Sequence, residues 1–406
     1  MNRLILPGCA AVLLLGAVGH AQQTPSQQSR TQSPSQDPEQ VVGEASKTPD
    51  TPATTIDRPA YNAIQQVKKD LYAKYGLSIA LEDTLIYQAA SGGVDPNDAM
   101  VNTLGLFATW KIIREQDGKD FAGLGFQGET RSNHIDEFTA LRDDLGTIWS
   151  PNDSTSDDYT KINQLWWGQR FGDGKFGYIV GKVDPGSRIN ENRFAGSGNT
   201  QFFGQPFATN PARSFPENGL GFMLRAEPND LLFFHFTMSD SDAISNHSPF
   251  TTVEGNWLYA GEVGYRPVIN GLGQGVYRVM LYQRDADSAN EFGWSISADQ
   301  NLSDQYGVFL RYGGNDGDIN SIEHLVSVGL SLLQPFGRKN DQAGIGVSYT
   351  HPGDDALRDE YSTELYYRLK LTEGIDLSGS AQFIIDPSAS DDDAAAVFGI
   401  RCRVLY

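Results

Sequence analysis

With 51 acidic against 31 basic side chains over 406 residues, the formal charge is −20, and no basic stripe is left for a nucleic-acid partner. Of the two cysteines, Cys9 and Cys402, the first lies in an apolar N-terminal leader, so one thiol remains after export and an internal disulfide or a cysteine metal cluster is excluded. A mean hydropathy of −0.39 excludes a bundle of apolar membrane helices, but not a wall of strands that turns only alternate residues to lipid.

The chain begins with Arg3, an apolar run from Ala10 to Val18, and the small residues Gly19 and Ala21, the pattern of a secretory signal peptide over 1–21 cut after Ala21. Leu6-Pro7-Gly8-Cys9 precedes the apolar run, whereas a lipidation box comes after it. Residues 22–55 are rich in Gln, Ser, Thr and Pro and poor in large apolar side chains; the expectation is a disordered periplasmic tether that cannot offset its ordering entropy by burial. Over 56–76, Tyr61, Ile64, Val67, Leu71 and Tyr75 recur at three- and four-residue spacing and predict one short amphipathic helix, resting by that face on the periplasmic end of the strand-rich region from Leu77 onward.

From Leu77 to the C-terminus the apolar period becomes two, and Gly, aromatic and β-branched residues dominate. Strands are predicted at 77–87, 104–114, 121–131, 162–170, 175–183, 220–227, 231–239, 257–266, 275–285, 291–299, 304–313, 324–333, 342–351, 360–370, 375–386 and 396–406, about sixteen in all. Their lengths suit tilted membrane-spanning strands of roughly 9 to 11 residues better than the strands of a soluble sandwich. Short turns, such as Phe171-Gly172-Asp173-Gly174 and Thr372-Glu373-Gly374, alternate with long segments at 132–161, 184–219 and 240–256. The fold class expected is therefore all-β, a transmembrane antiparallel barrel over 77–406, with both termini periplasmic and the long segments outside the cell.

Two faces can be read along single strands. Tyr361, Thr363, Leu365, Tyr367 and Leu369 share one parity, while Ser362, Glu364, Arg368 and Lys370 share the other. A charge on the lipid face near mid-membrane costs about 2–4 kcal/mol, so this segregation is what insertion demands. In the last strand Phe398, Ile400, Cys402, Val404 and Tyr406 form an apolar row that ends in an aromatic, opposite Arg401 and Arg403. Such a row resembles the recognition signal of outer-membrane barrels, with Phe398, Ile400, Val404 and Tyr406 as the assembly signal read by the barrel-assembly machinery; Cys402 is then a small lipid-facing residue.

Tyr178-Ile179-Val180-Gly181-Lys182-Val183-Asp184, the Phe194, Phe202-Phe203 and Asn210-Pro211 positions after it, and then Glu364-Leu365-Tyr366-Tyr367-Arg368, Gln382-Phe383-Ile384-Ile385-Asp386-Pro387 and Gly399-Ile400-Arg401 resemble, in order and spacing, the carbohydrate-selective porin (OprB-like) family. The resemblance covers roughly 77 to 406. It implies a sixteen-stranded barrel, monomeric or loosely trimeric, in the outer membrane among lipid and lipopolysaccharide, admitting mono- or oligosaccharides by passive diffusion.

A sugar presents apolar ring faces and a rim of hydroxyls, so a selective channel needs aromatic surfaces together with planar donors and acceptors. By parity, Trp166, Arg225, Glu262, Arg266, Arg278, Arg284, Arg311, Glu364, Arg368, Arg401 and Arg403 are candidate pore-lining residues; Lys182 joins them from the family motif, its own parity being ambiguous. The alternative for each is a wall residue that pairs with its neighbours. Segment 184–219 concentrates Arg188, Arg193, Phe194, Phe202, Phe203, Phe207, Arg213 and Phe215, too many aromatics for an exposed loop, so it is expected to fold inward and form a constriction with arginines of the opposite wall.

No catalytic residue, cofactor or metal site is assigned. His134, His235, His247, His324 and His351 are scattered without a nucleophile motif, against an outer-membrane hydrolase, and the acidic runs Asp391-Asp392-Asp393 and Asp354-Asp355 read as solvated loop rather than Ca²⁺ ligands. The competing non-enzymatic reading is an outer-membrane conduit for polysaccharide export, with the tether binding a partner.

Overall fold

The structure, a computed structural model, describes residues 37–46, 58–91, 97–115, 119–136, 138–153, 158–286, 289–317 and 319–406. The signal peptide expected over 1–21 lies outside the described residues, as do 22–36 and 47–55 of the expected tether.

Sixteen long strands close into one antiparallel barrel: β1 (Leu77–Ser91), β2 (Asp98–Arg114), β3 (Phe121–Asn133), β4 (Tyr159–Phe171), β5 (Phe176–Val183), β6 (Gly219–Ala226), β7 (Leu232–Asp240), β8 (Trp257–Tyr265), β10 (Gly273–Ala286), β11 (Ala289–Asn301), β12 (Tyr306–Asn315), β13 (Ile322–Leu333), β14 (Gln342–Pro352), β15 (Glu360–Lys370), β16 (Ile375–Ile385) and β17 (Ala394–Leu405); β9 (Val268–Ile269) is a two-residue pairing in a turn. Each long strand pairs with its chain neighbours, and β1 also pairs with β17, with Glu82 opposite Leu405 and Ser91 opposite Ala396. Closure leaves no open edge, the condition for a sheet to stand in lipid.

Every predicted strand has its counterpart, and the largest departures lie at the long-loop end, where β1 runs four residues further and β2 begins six residues earlier than periodicity suggests. Pairing across a closed barrel carries the ladder past the point where the apolar alternation fades. The two faces separate as parity requires. On β16, Leu377, Phe383 and Ile385 are exposed on the outside while Asp376, Ser378, Ser380 and Gln382 are buried within.

Of the segment expected as a tether, one piece is ordered and corrects that expectation. Helix α1 (Pro38–Ala45) opens with Asp37 as N-cap, its carboxylate accepting from the Glu39 N–H, and with proline in the first turn. Its apolar face, Val41, Val42 and Ala45, packs inside the barrel on Ala80, Phe107 and Leu405. Eight residues are too few for a stable isolated helix. The lumen supplies the burial that composition alone does not reveal.

Helix α2 (Arg58–Tyr75) corresponds to the amphipathic helix, but it buries a different face. Tyr61, Gln65 and Lys68 are turned inward, whereas Ile64, Val67 and Tyr75 are exposed. The reason is the end of α1: the amide of Gln65 and the ammonium of Lys68 both donate to the Ala45 carbonyl, at 2.9 and 2.8 Å, satisfying an acceptor orphaned at the helix C-terminus. Burial pushes the Lys68 ammonium down to about 8. The far end of α2 is tied to the barrel by Arg114 and Trp110, which donate to the carbonyls of Tyr72, Ala73 and Tyr75.

Candidate functional site

Two long connections enter the lumen. The one between β3 and β4 carries α3 (Phe138–Leu145), a helix that strand periodicity does not foreshadow, and Phe138, Leu141, Leu145 and Trp149 pack on inward residues of β1, β2, β13, β16 and β17. The one between β5 and β6, 184–218, carries the short helix α4 (Gln205–Ala208). The two loops bond to each other, since the Asp153 N–H donates to the Phe203 carbonyl and the Gln205 N–H to the Ser150 carbonyl.

Why 184–218 stays inside can be read from its partners. Its phenylalanines are not open to the lumen: Phe194, Phe202, Phe203 and Phe207 are at most 4% exposed. They sit in recesses made by wall glycines. A Cβ on Gly307 would stand 2.2 Å from the Phe194 ring, and one on Gly346 would stand 2.7 Å from Phe207. Phe202 packs edge-on to Phe309 and Tyr366, with centroids 5.5 and 4.6 Å apart. Phe202 and Phe203, expected as stacking surfaces for a sugar, are thus the loop's own core.

The same correction applies to much of the charged wall. Glu364 accepts from the backbone of Phe203 and Gly204 at 2.7 and 2.9 Å, and Glu262 accepts from Asn190 at 2.6 Å. Arg311 donates to the carbonyls of Phe207 and Thr209, and Arg401, lying over the Phe203 ring, donates to those of Gly198 and Gln201. Arg193 and Arg278 share Asp299, and Arg284 holds Ser214 and Ser241. Glu262, Glu364, Arg284, Arg311 and Arg401 face inward but grip the inserted loops instead of opposing them across a gap, while Arg278 pairs with Asp299 of the neighbouring strand. Charged hydrogen bonds of this kind contribute about 1.5–3 kcal/mol each and leave little free donor capacity.

Lys182 is buried and donates to the carbonyls of Ser245 and His247 in the next long loop. Its ambiguous parity has a cause: Gly181, at φ +142°, breaks the alternation so that Lys182 and Val183 are both buried. Arg368 sits near the short-turn end of β15 and donates to the Asn340 carbonyl, far along the strand from the loop anchor at Glu364.

What remains lines two cavities. The wider, about 460 Å³, lies toward the short-turn end and is bounded by Trp166, Arg170, Arg188, Arg225, Arg266 and α1. Arg225 and Arg266 converge on Glu227, at 2.8 and 3.0 Å, and Arg188 lies over the Trp166 ring. The narrower, about 60 Å³, is bounded by Asp153, Asn210, Arg213 and Arg311. Burial drives the Asp153 carboxyl up to about 7 against the pull of Arg213 and Arg311, and it lowers the Arg213 guanidinium. Gln40 and Glu191 border both cavities, so α1 stands at their junction.

Helix α1 is held there by charge. Asp37 meets Arg188 at 2.9 Å, Glu39 meets Arg170 at 2.6 Å and Arg188 at 3.5 Å, and Glu44 meets Arg403 at 2.8 Å. Burial raises the Asp37 carboxyl to about 6 despite Arg188. For Glu39 burial acts in the same direction, but Arg188 and Arg170 outweigh it and hold the group below its ordinary value. Arg403, expected as pore-lining, is thereby a clamp between Glu82 and Glu44.

Arg170 and Asp153 escaped the sequence reading. Arg170 shares the inward parity of Trp166 and was legible; Asp153 stands in a loop with no periodicity to mark it.

Comparison with known proteins agrees with this architecture. Residues 283–406 match the carbohydrate-selective porin, OprB family. Porin AaxA of Chlamydia trachomatis is 24% identical over 200 residues, 47% of this chain and 42% of that protein, and Porin B of Pseudomonas aeruginosa is 24% identical over 150 residues, 29% of this chain and 33% of that protein. The alignments therefore span less than half the length of these curated relatives. The high-pH structure of Pseudomonas putida OprB superposes with a TM-score of 0.73 at 16% identity, covering 89% of this chain and 99% of that one, and a mutant of Rh. blastica porin with 0.53 at 11% identity, covering 81% and 100%. The family match bears out the resemblance over 283–406, and the superposed structures bear out the barrel fold.

Proposed function

We propose that this OprB-like barrel is an outer-membrane porin through which carbohydrates diffuse passively into the periplasm. The observation that carries the reading is the lumen, which two inserted loops narrow to a cavity of about 60 Å³ rimmed by Asp153, Asn210, Arg213 and Arg311, opening on a wider one with Trp166 on its wall. At that neck the Asp153 carboxyl and the Asn210 amide oxygen offer acceptors, and the Arg213 guanidinium a donor, to a hydroxylated rim. Passage requires weak binding, because the solute must also leave.

In this reading residues 1–21 direct export, the short-turn end faces the periplasm, and Phe398, Ile400, Val404 and Tyr406 are the row that the assembly machinery reads. Phe398 and Ile400 lie exposed on the outer face, as such a row requires. The deciding measurement is planar-bilayer conductance of the purified barrel with a panel of neutral sugars as blockers, beside liposome swelling with the same sugars. Concentration-dependent block and sugar-driven swelling support the porin. A barrel that inserts yet passes neither ions nor sugars overturns it.

A further inference from the structure

The wall of the wide cavity is more cationic than the cavity as it stands, because the chain itself masks part of that charge. Lys111, Arg170, Arg188, Arg225 and Arg266 border it, while the wall and loops contribute only the carboxylates of Glu191 and Glu227, a surplus of three positive charges with histidine neutral. Two of those charges are answered by Asp37 and Glu39, which belong to α1 and not to the barrel. Glu39 is placed between Arg170 and Arg188, and the Arg188 guanidinium lies 5.1 Å from the Trp166 ring centre. A carboxylate flanked by two guanidiniums beside an aromatic face is the arrangement that a carboxylate-bearing sugar would adopt in the same place.

We propose that α1 is a tethered occupant of the pore, and that the place taken by Asp37 and Glu39 is a binding site for sugar acids, which compete with the helix for Arg170 and Arg188. The inference rests on the porin reading and names its solute class. The attachment of α1 suits an exchangeable occupant. Its apolar contact is small, Val41, Val42 and Ala45 against three wall residues, and its remaining hold is ionic and amide hydrogen bonding: Arg170, Arg188 and Arg403 to its carboxylates, Gln40 to Glu191, and Gln65 and Lys68 of α2 to its last carbonyl. Each ionic contact can be replaced by one to a solute carboxylate. Gln40, bordering both cavities, places the helix across the route from the narrow neck to the wide vestibule.

The test compares the full chain with two variants in planar bilayers, using D-glucuronate and D-glucose as probes. One variant lacks 37–46; the other is Asp37→Asn with Glu39→Gln, which keeps the helix and its Glu44–Arg403 pair but removes the two carboxylates that occupy Arg170 and Arg188. Both should conduct at least several-fold more than the parent, and both should be half-blocked by glucuronate at a concentration roughly tenfold below that for glucose, the worth of one charged hydrogen bond over a neutral one. Adding Arg188→Gln to the deletion should return glucuronate to the level of glucose. Equal conductance of parent and variants overturns the occupancy, and raised conductance with no preference for glucuronate overturns the solute class. If the deletion fails to assemble, the double substitution is judged by the same two criteria. Silence of every variant toward ions and both sugars would instead sink the porin reading itself.

Discussion

On β15 the side chains alternate one by one, Tyr361 and Leu365 outward and exposed, Ser362 and Glu364 inward and buried, and the neighbours on β14 and β16 repeat the rule. Inside the barrel, segment 184–218 obeys no period at all: Asn190, Asn192, Asn199, Gln201 and Asn210 are buried beside Ile189, Phe194 and Phe207. The wall is held by a ladder that each strand shares with its chain neighbours. The insert is held by contacts to residues on the order of a hundred or more positions away, such as Phe203 to Glu364 and Gly198 to Arg401. The wall therefore tolerates exchange within a face, whereas the insert depends on particular anchors.

The largest effect that would break this contrast comes from the insert as a whole. Shortening it around Phe202-Phe203 removes two of the four buried phenylalanines that seat it and should raise ion conductance several-fold and abolish block by sugar, with the barrel still heat-modifiable in detergent. If conductance and block match the parent, the insert is not what narrows the pore.

A charge on the outer face probes the wall. Leu365 is 54% exposed in the middle of β15, and Leu365→Arg should destabilise the barrel in lipid vesicles by about 2–4 kcal/mol, read from the urea midpoint. A midpoint equal to the parent's would mean that this face does not meet lipid.

Next to it, Glu364→Gln tests the anchors. The carboxylate accepts from two loop N–H groups and from the Ser380 hydroxyl, so its neutralisation should cost about 1.5–3 kcal/mol and loosen the insert. The expected signature is noisier single-channel current with the barrel's heat-modifiability kept. Quiet, unchanged channels would show that the loop is held without this residue.

The smallest change concerns the last residue. Tyr406 pairs through its backbone with Leu81 and its ring lies 5.9 Å from that of Tyr61 on α2, away from both cavities. Tyr406→Ala should lower the amount of barrel in the outer membrane and leave single-channel conductance unchanged, and the reverse pattern would move this residue from assembly to transport.

Sixteen strands and their two faces were determined by the amino-acid sequence itself, because the side-chain period of a strand is local and lipid punishes every error of parity. The inward direction of Arg225, Glu262, Arg278, Arg311, Glu364, Arg401 and Arg403 came from the same rule. What those residues touch did not, since parity gives a face and not a partner; whether Arg401 meets a solute or the Gln201 carbonyl is decided by where a loop two hundred positions earlier comes to rest. Helix α1 and the buried face of α2 were likewise decided only by tertiary structure. Eight residues with two valines show no periodicity strong enough to announce a helix, and Gln65 and Lys68 turn inward because an unsatisfied carbonyl at Ala45 is waiting there.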